Sequence, residues 1–304
     1  MNGIYKWAGI RLQGRNKFGS LAQRGNRFSI DIDIICNVER IDLEGILDKV
    51  IESSHFAEWK LDEHRSYKSG VPKAHYKFSF DTQHQGSGTI LLDVLIEDAI
   101  YPELAELPVV TKWIETETKT MVTVPTIDAI TGDKLTAFAP NTIGIPYFKG
   151  KGKQPFSMEI CKQLFDLSKL FEHIQDIESV ANSFRVIAKR GRGSDDEKQK
   201  FAELQRGIRA FDFGFLMTGS FRIDDAVPAA ARIAYLAAKI LVNDMSPVAY
   251  YKGQNIKEMN IEDPDWNFLN KLKRQPDKSS FYYLYRAVIL LNANKNESES
   301  PGGE

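Results

Sequence analysis

The chain has 304 residues, of which 42% are hydrophobic and 27% are charged. This is the composition of an ordinary globular protein, long enough for one large domain or two smaller ones with their own cores. The formal net charge of -1 provides no global basic field that would indicate a nucleic-acid partner, although local basic clusters could still bind one.

The two cysteines, Cys36 and Cys161, stand outside any Cys-x-x-Cys motif. We therefore expect two buried thiols and neither a disulfide scaffold nor a structural zinc site. No apolar run approaches the length of about 18 residues that a membrane span requires. The N-terminus also lacks the unbroken apolar core of a signal peptide, so we expect a cytoplasmic protein.

The first 125 residues alternate strand-like and helical patterns. Strands are indicated by period-two alternation and by apolar runs, and helices by apolar residues three and four apart. In chain order, these patterns predict a strand over 28–36, a helix over 43–53, a hairpin of strands 73–81 and 89–96 with its turn at 83–88, and a strand pair within 109–124.

After residue 125 the pattern is helical. We predict helices over 126–138, 157–174, 176–190, 196–217, 225–243 and 279–292. The fold class is therefore α+β: an N-terminal portion with a small mixed sheet, followed by an all-helical portion. The boundary falls between residues 125 and 155, and we place the domains at 1–140 and 141–292, with a polar, disordered tail over 293–304.

Two aspartates stand two residues apart on the first predicted strand. Side chains at positions i and i+2 point to the same face, so the carboxylates of Asp31 and Asp33 are expected to project together. Two like charges this close are unfavourable without a counter-ion, and Mg²⁺ prefers carboxylate oxygens together with water and substrate phosphates. The pair is a candidate magnesium site, although for an isolated Asp-x-Asp the solvated face of an edge strand is the commoner explanation.

A Gly-Ser pair precedes these aspartates, with ten residues between Ser20 and Asp31. Glycine at a turn lets the backbone approach phosphate oxygens closely, and the serine hydroxyl adds a donor. This spacing resembles the signature of the DNA polymerase beta nucleotidyltransferase superfamily, which takes a third carboxylate from a neighbouring strand. The candidate is Asp93, an acid within an apolar strand; the alternative is an acid paired with a lysine or arginine.

Two further motifs lie in the helical part of the chain. The motif GDKL contains Lys134, and the motif KQLFDL contains Asp166. Alone, a single lysine and a Lys/Asp pair four residues apart are ordinary surface features. Following Gly-Ser and RFSIDID (27–33), however, they resemble the nucleotidyltransferase AbiEii/AbiGii toxin family, which includes the MenA-like transferases. The resemblance covers about residues 18–170.

The resemblance implies a polymerase-beta-like domain joined to a helical one, and transfer of a nucleoside monophosphate from an NTP with Mg²⁺. It implies a toxin restrained by a separate antitoxin; some relatives act on tRNA ends, and others are linked to abortive phage defence. The implied site residues are the metal ligands Asp31, Asp33 and Asp93, the nucleotide-binding residues Gly19, Ser20, Arg27, Ser29 and Lys134, and the catalytic residues Lys134 and Asp166, with Asp166 orienting Lys134 or acting near the acceptor.

Other interpretations stay open at this point. Basic residues in 149–153 and 189–192 favour an RNA acceptor such as tRNA, although solvated loops explain them as well. The chain could instead be a catalytically inactive module that binds a nucleotide or a partner, or a metal-dependent nuclease with the same carboxylates. Histidine chemistry is not expected, because no motif for it occurs; His75 and His84, near the hairpin turn, are assigned surface or packing roles.

Overall fold

The structure, a computed structural model, describes residues 31–66, 72–82, 86–109, 121–137, 144–146, 148, 156–190 and 223–299. The chain divides into two compact units, residues 1–126 and 127–304. The described elements of the first unit are β1 (Asp31–Cys36), α1 (Arg40–Glu52), β2 (Phe56–Leu61), α2 (Glu63–Ser66), β3 (Lys73–Thr82), β4 (Gly86–Ile96), β5 (Leu104–Pro108) and β6 (Met121–Pro125). Those of the second are α3 (Ile127–Thr136), α4 (Ser157–Phe171), α5 (Ile177–Arg190), α6 (Ile223–Leu241), a 3-10 helix (Asn267–Arg274) and α7 (Ser279–Glu299).

Four strands of the first unit form a mixed sheet in the order β1-β4-β3-β2. β1 runs parallel to β4, whereas β4, β3 and β2 are antiparallel neighbours. β3 and β4 are the two strands of the predicted hairpin. A separate antiparallel pair is formed by β5 and β6. Together with the helices of the second unit, this sheet confirms the predicted α+β class with a small mixed sheet.

One face of the mixed sheet packs against α1 and forms the core of the first unit. Successive residues of a strand point to opposite faces, so alternate residues of β1, β3 and β4 enter this core while those between them face away from α1. The buried core residues are Ile34, Cys36, Leu43, Leu47, Ala74, Tyr76, Phe78, Leu92 and Val94. The face opposite α1 carries the polar residues of the same strands.

The helices of the second unit share one large apolar core, to which α3, α4, α5, α6 and α7 all contribute. α3 packs closely against α5 at Gly132, where an added Cβ would overlap the backbone carbonyl oxygen of Val180. The buried Asp128, in the first turn of α3, accepts the backbone N–H groups of Gln175 and Asp176, each at 3.0 Å. It thereby fixes the chain at the start of α5.

The division between the two units falls after residue 126, inside the predicted interval of 125–155 and ahead of residue 140, because α3 packs against α4 and α5. α7 continues to Glu299, past residue 292, so the segment expected to open a disordered tail is helical. Its polar residues are compatible with a helix, and the first helix-breaking pair, Pro301-Gly302, follows only after α7 has ended.

Some elements were missed or displaced in the sequence-based prediction. β2 is an edge strand whose alternation is interrupted by a register shift between Phe56 and Glu58, so the period-two signal is weak. α2 is a single turn, and the 3-10 helix has a different period from an α-helix. β5 starts at Leu104, which pairs with Pro125 of β6. This start is five residues before residue 109, where the predicted strand pair begins.

Both cysteines are buried thiols, as predicted: Cys36 lies in β1 and Cys161 in α4. Desolvation by burial raises the pKa of each thiol above its ordinary value. None of the helices in the described ranges has the length and apolar character needed to cross a membrane.

We expect Gly132→Ala to lower the free energy of unfolding by about 1–3 kcal/mol, because the added methyl group must push α3 away from α5. Gly45→Ala is the matched control: Gly45 lies in α1 with open space around it, and alanine favours a helix over glycine by up to about 1 kcal/mol. Urea unfolding monitored by circular dichroism compares the two variants. Equal loss of stability in both would contradict the close helix contact at Gly132.

Candidate active site

The strand register brings three polar residues into one row across the sheet face opposite α1. Asp33 of β1 is the register partner of Asp93 in β4, and Asp93 is the partner of His75 in β3. Register partners point to the same face, and neighbouring strands lie about 4.8 Å apart. We call Asp33, Asp93 and His75 the carboxylate row. Its two carboxylates are partly buried and His75 is buried, so the row is only partly screened by water.

The carboxylate of Asp93 is held on both of its oxygens. Nδ1 of His75 lies 2.6 Å from Oδ1, and a guanidinium nitrogen of Arg65 lies 3.1 Å from Oδ2. Because a carboxylate accepts hydrogen bonds, Nδ1 is the ring nitrogen that carries a proton in this contact. Asp93 thus has an arginine partner, which agrees with the alternative of an acid paired with a lysine or arginine. Each oxygen has two lone pairs, however, so acceptor capacity for a cation remains.

The single turn α2 positions Arg65 and His75 relative to the sheet. Oγ of Ser66 donates to the carbonyl oxygen of Asp62 at 2.7 Å and accepts the backbone N–H of His75 at 2.9 Å. The N–H of Asp62 in turn donates to the carbonyl oxygen of His75 at 2.7 Å. Asp62 also pairs with Lys77 at 2.9 Å, and this hydrogen bond lowers the pKa of Asp62. The turn that carries Arg65 is therefore attached to β3 at His75.

A second cluster, the lysine–aspartate pair, lies within the helical unit. Nζ of Lys134 in α3 donates to Oδ2 of Asp166 in α4 at 2.9 Å and to Oε1 of Gln163 at 3.3 Å. The side chains of Lys134 and Asp166 are only 13% and 6% exposed, so the ion pair is largely desolvated. Asp166 therefore pairs with a lysine from another helix rather than with Lys162, its neighbour four residues earlier, and the pair is not a surface feature.

The structure describes part of the predicted site. Gly19, Ser20, Arg27 and Ser29 lie outside the described residues, as do residues 149–153 and the end of 189–192. Asp31 is the first described residue, and its backbone pairs in register with Leu91. Of the other predicted residues, Asp33 and Asp93 belong to the carboxylate row of the first unit. Lys134 and Asp166 form the lysine–aspartate pair of the second unit. Their chemical roles stay predictions.

Arg65 and His75 are site residues that sequence reasoning missed. His75 is buried, as a packing role requires, but it also contacts Asp93. The hairpin does contain a signal for this contact. Residues 75 and 93 are equally distant in sequence from residue 84, and residues at equal distance from the centre of a hairpin pair with each other. No comparable signal exists for Arg65, because α2 is too short for a periodic pattern.

The two carboxylates of the row are oxygen donors of the type that Mg²⁺ prefers. Among the side chains that the structure describes, no group of three or more Asp, Glu, His or Cys is arranged to hold a metal ion. Asp33 and Asp93 supply carboxylates from adjacent strands. These donors fit a cation that completes its shell with water and substrate phosphates, as magnesium does in phosphoryl-transfer enzymes, rather than one enclosed by protein ligands.

Comparison with known proteins identifies the class and family of the chain. The family model described as "Nucleotidyl transferase AbiEii toxin, Type IV TA system" matches residues 20–237, more than half of the sequence. The protein is therefore a nucleotidyltransferase. Within that class, the chain belongs to the AbiEii toxin family, as its motifs implied.

A similar solved structure is the nucleotidyltransferase toxin MenT4 from Mycobacterium tuberculosis H37Rv. The TM-score is 0.44 at 13% identity, and the match covers 79% of this chain and 85% of that chain. At this TM-score and identity, the likeness carries no conclusion about this chain. The comparison with curated proteins gives no match.

We expect Lys134→Met to destabilise the second unit by about 3–5 kcal/mol, because it leaves the buried carboxylate of Asp166 without its cation. The double variant Lys134→Met/Asp166→Leu should recover most of this loss, since two apolar side chains replace two buried charges. Thermal unfolding of the single and double variants measures the coupling. A double variant as unstable as the single one would show that the pair itself supports the fold.

Proposed function

We propose that this nucleotidyltransferase transfers a nucleoside monophosphate from an NTP to an RNA acceptor such as tRNA, and that the reaction requires Mg²⁺. The observation that carries the proposal is the carboxylate row, in which Asp33 and Asp93 stand side by side on one sheet face. Family membership supplies the class of reaction. The row supplies oxygen ligands suited to a cation that also binds phosphate.

In the proposed reaction, a hydroxyl oxygen of the acceptor forms a bond to the α-phosphorus of the NTP. The bond between the α-phosphorus and the oxygen bridging to the β-phosphate breaks, pyrophosphate leaves with the electron pair, and the hydroxyl proton passes to solvent. When bound, Mg²⁺ offsets the negative charge on the phosphate oxygens. Asp33 and Asp93 are the proposed ligands, together with Asp31.

Arg65 and His75 are proposed to act as positioning residues. Their hydrogen bonds restrain both oxygens of Asp93, so the carboxylate cannot rotate freely beside Asp33. A ligand whose orientation is already fixed loses less conformational freedom on binding a cation. Nε2 of His75 is buried and has no hydrogen-bond partner among the described residues. Within that part of the chain, the imidazole ring therefore forms its hydrogen bond to Asp93, through Nδ1.

Lys134 is proposed to contact the triphosphate or to stabilise charge in the transition state. Its ammonium group has three N–H donors. Asp166 and Gln163 each accept one of them, which fixes the direction of the third. A phosphate oxygen is a suitable acceptor for that donor, because a largely buried ammonium interacts with an anion more strongly than an exposed one does.

We further propose a cognate antitoxin protein as a partner and a role in abortive infection. The family description supports the first part, since it refers to a type IV toxin–antitoxin system. NTPs and RNA acceptors are cytoplasmic molecules, so we propose that the protein acts in the cytoplasm. A chain that bound NTP without turning it over would instead be an inactive binding module of the same fold.

Asp33→Asn should lower the transfer of label from an α-labelled NTP to a tRNA pool by about 100-fold or more, because an amide replaces a charged metal ligand. Asp81→Asn removes an exposed carboxylate from β3 of the same sheet and should leave the rate unchanged. Chelation of divalent cations should stop the transfer, and added Mg²⁺ should restore it. Undiminished labelling by Asp33→Asn or under chelation would refute the proposed metal site.

His75→Ala should raise the Mg²⁺ concentration needed for half-maximal activity by about 10–100-fold, because Asp93 loses one of its two restraints. His75→Asn offers an amide donor close to the position of Nδ1 and should recover most of the affinity. A magnesium titration of the initial rate measures both variants. If excess Mg²⁺ restored neither variant, and Asn were no better than Ala, His75 would have a purely structural role.

A further inference from the structure

One aromatic and two basic side chains form an exposed ridge on the second unit. They belong to the 3-10 helix, in which side chains three residues apart are aligned because each turn contains three residues. Phe268, Lys271 and Arg274 follow this spacing, and all three are exposed. Leu269, one position after Phe268, is buried in the core instead. We call Phe268, Lys271 and Arg274 the 268–274 ridge.

The aromatic ring of the ridge is supported but not covered by its neighbours. Phe268 is 52% exposed, although the adjacent residue belongs to the core. Nζ of Lys271 lies 5.7 Å from the centroid of its ring. The ring of Trp266 stacks beside it, with 6.5 Å between centroids and 24° between the planes. The ridge thus presents an aromatic surface to solvent, with a cation held against it.

The two cations of the ridge are available to an external anion. Within the described part of the chain, neither Lys271 nor Arg274 forms an ion pair. The nearby Lys278 serves the fold, because its ammonium donates to two carbonyl oxygens at the end of the 3-10 helix, each at 2.7 Å. The carboxylate of Asp277 is likewise engaged, accepting the N–H of Ser279 at the start of α7 at 2.8 Å.

We propose that the 268–274 ridge binds a single-stranded segment of the RNA acceptor. One base stacks on Phe268, and the adjacent phosphates contact Lys271 and Arg274. Successive members of the ridge are about 6 Å apart along the helix axis, three residues at about 2.0 Å each. The assignment rests on the proposed function, because it names the surface that receives the acceptor.

The chemistry of the ridge favours single-stranded RNA over other macromolecules. Each nucleotide of a single strand offers a flat base and an anionic phosphate, which match an exposed ring and a cation next to it. In a duplex the bases are stacked on one another, so a duplex could reach the cations but not the ring. A partner protein that covered Phe268 would also have to neutralise two cations.

The test is fluorescence anisotropy of the full chain with a labelled single-stranded RNA of 12 nucleotides, titrated at several salt concentrations. Phe268→Ala should weaken binding by about 5–100-fold, since it removes one stacking platform, and Phe268→Trp should restore it. Lys271→Ala/Arg274→Ala should make the slope of log K against log salt shallower by about 1.4, since each phosphate contact to a single strand contributes about 0.7.

Lys252→Ala/Lys257→Ala is the matched control, because it removes two exposed lysines of the same unit that lie outside the ridge. This control should leave the slope of log K against log salt unchanged, and Phe268→Ala should weaken RNA binding by the same factor in its background. If the ridge variants bound RNA as this control does while circular dichroism showed all of them folded, the proposal would be overturned. The proposal would also be overturned if the unchanged chain bound a duplex of the same sequence more tightly than the single strand. The same holds if Phe268→Ala abolished binding of a protein partner but left binding of RNA unchanged.

Failure of this inference is distinguishable from failure of the proposed function. If label is transferred to RNA but the ridge variants transfer and bind as well as the unchanged chain, the acceptor binds elsewhere and the transferase proposal stands. If binding depends on the ridge but no nucleotide is transferred under any condition, the ridge is an RNA-binding surface and the proposed reaction is wrong.

Discussion

The candidate active site depends on one constraint, the register of β4 between two neighbours of opposite direction. β1 is parallel to β4 and β3 is antiparallel to it, yet both registers place a polar residue beside Asp93. A slip of one residue would turn the carboxylates of a strand toward the apolar core beneath α1. The same alternation that buries Ile34, Tyr76 and Val94 therefore determines where the carboxylates stand. The alternation of side chains along the strands thus determines both which residues enter the core and which residues are placed to bind a cation.

Features that depend on a short stretch of chain were predictable from the sequence. The strand with Asp33, the β3–β4 hairpin and the helices of the second unit each follow from a local period. Contacts between distant elements were not predictable. Lys134 and Asp166 are 32 residues apart, whereas Lys162 is four residues from Asp166 and so was the neighbour visible in the sequence. Arg65 reaches Asp93 from a single helical turn, which has no period to detect.

The GDKL segment of α3 combines a packing requirement with a chemical one. Gly132 lets the backbones of α3 and α5 come together, and Lys134 lies two positions further along the same helix. At 3.6 residues per turn the two positions lie about 200° apart around α3, so Gly132 packs against α5 while Lys134 pairs with Asp166 of α4. One short segment of α3 therefore contacts two neighbouring helices, α5 through a glycine and α4 through a largely buried ion pair.

The two cysteines give each unit its own internal reporter. Cys36 is fully buried in the sheet unit, and Cys161 is 4% exposed in the helical unit. A thiol reacts as its thiolate, and burial both raises its pKa and blocks access, so alkylation at either position requires that unit to open first. The rates at which the two positions are alkylated thus follow the opening of the sheet unit and of the helical unit separately, within one molecule and without any introduced label.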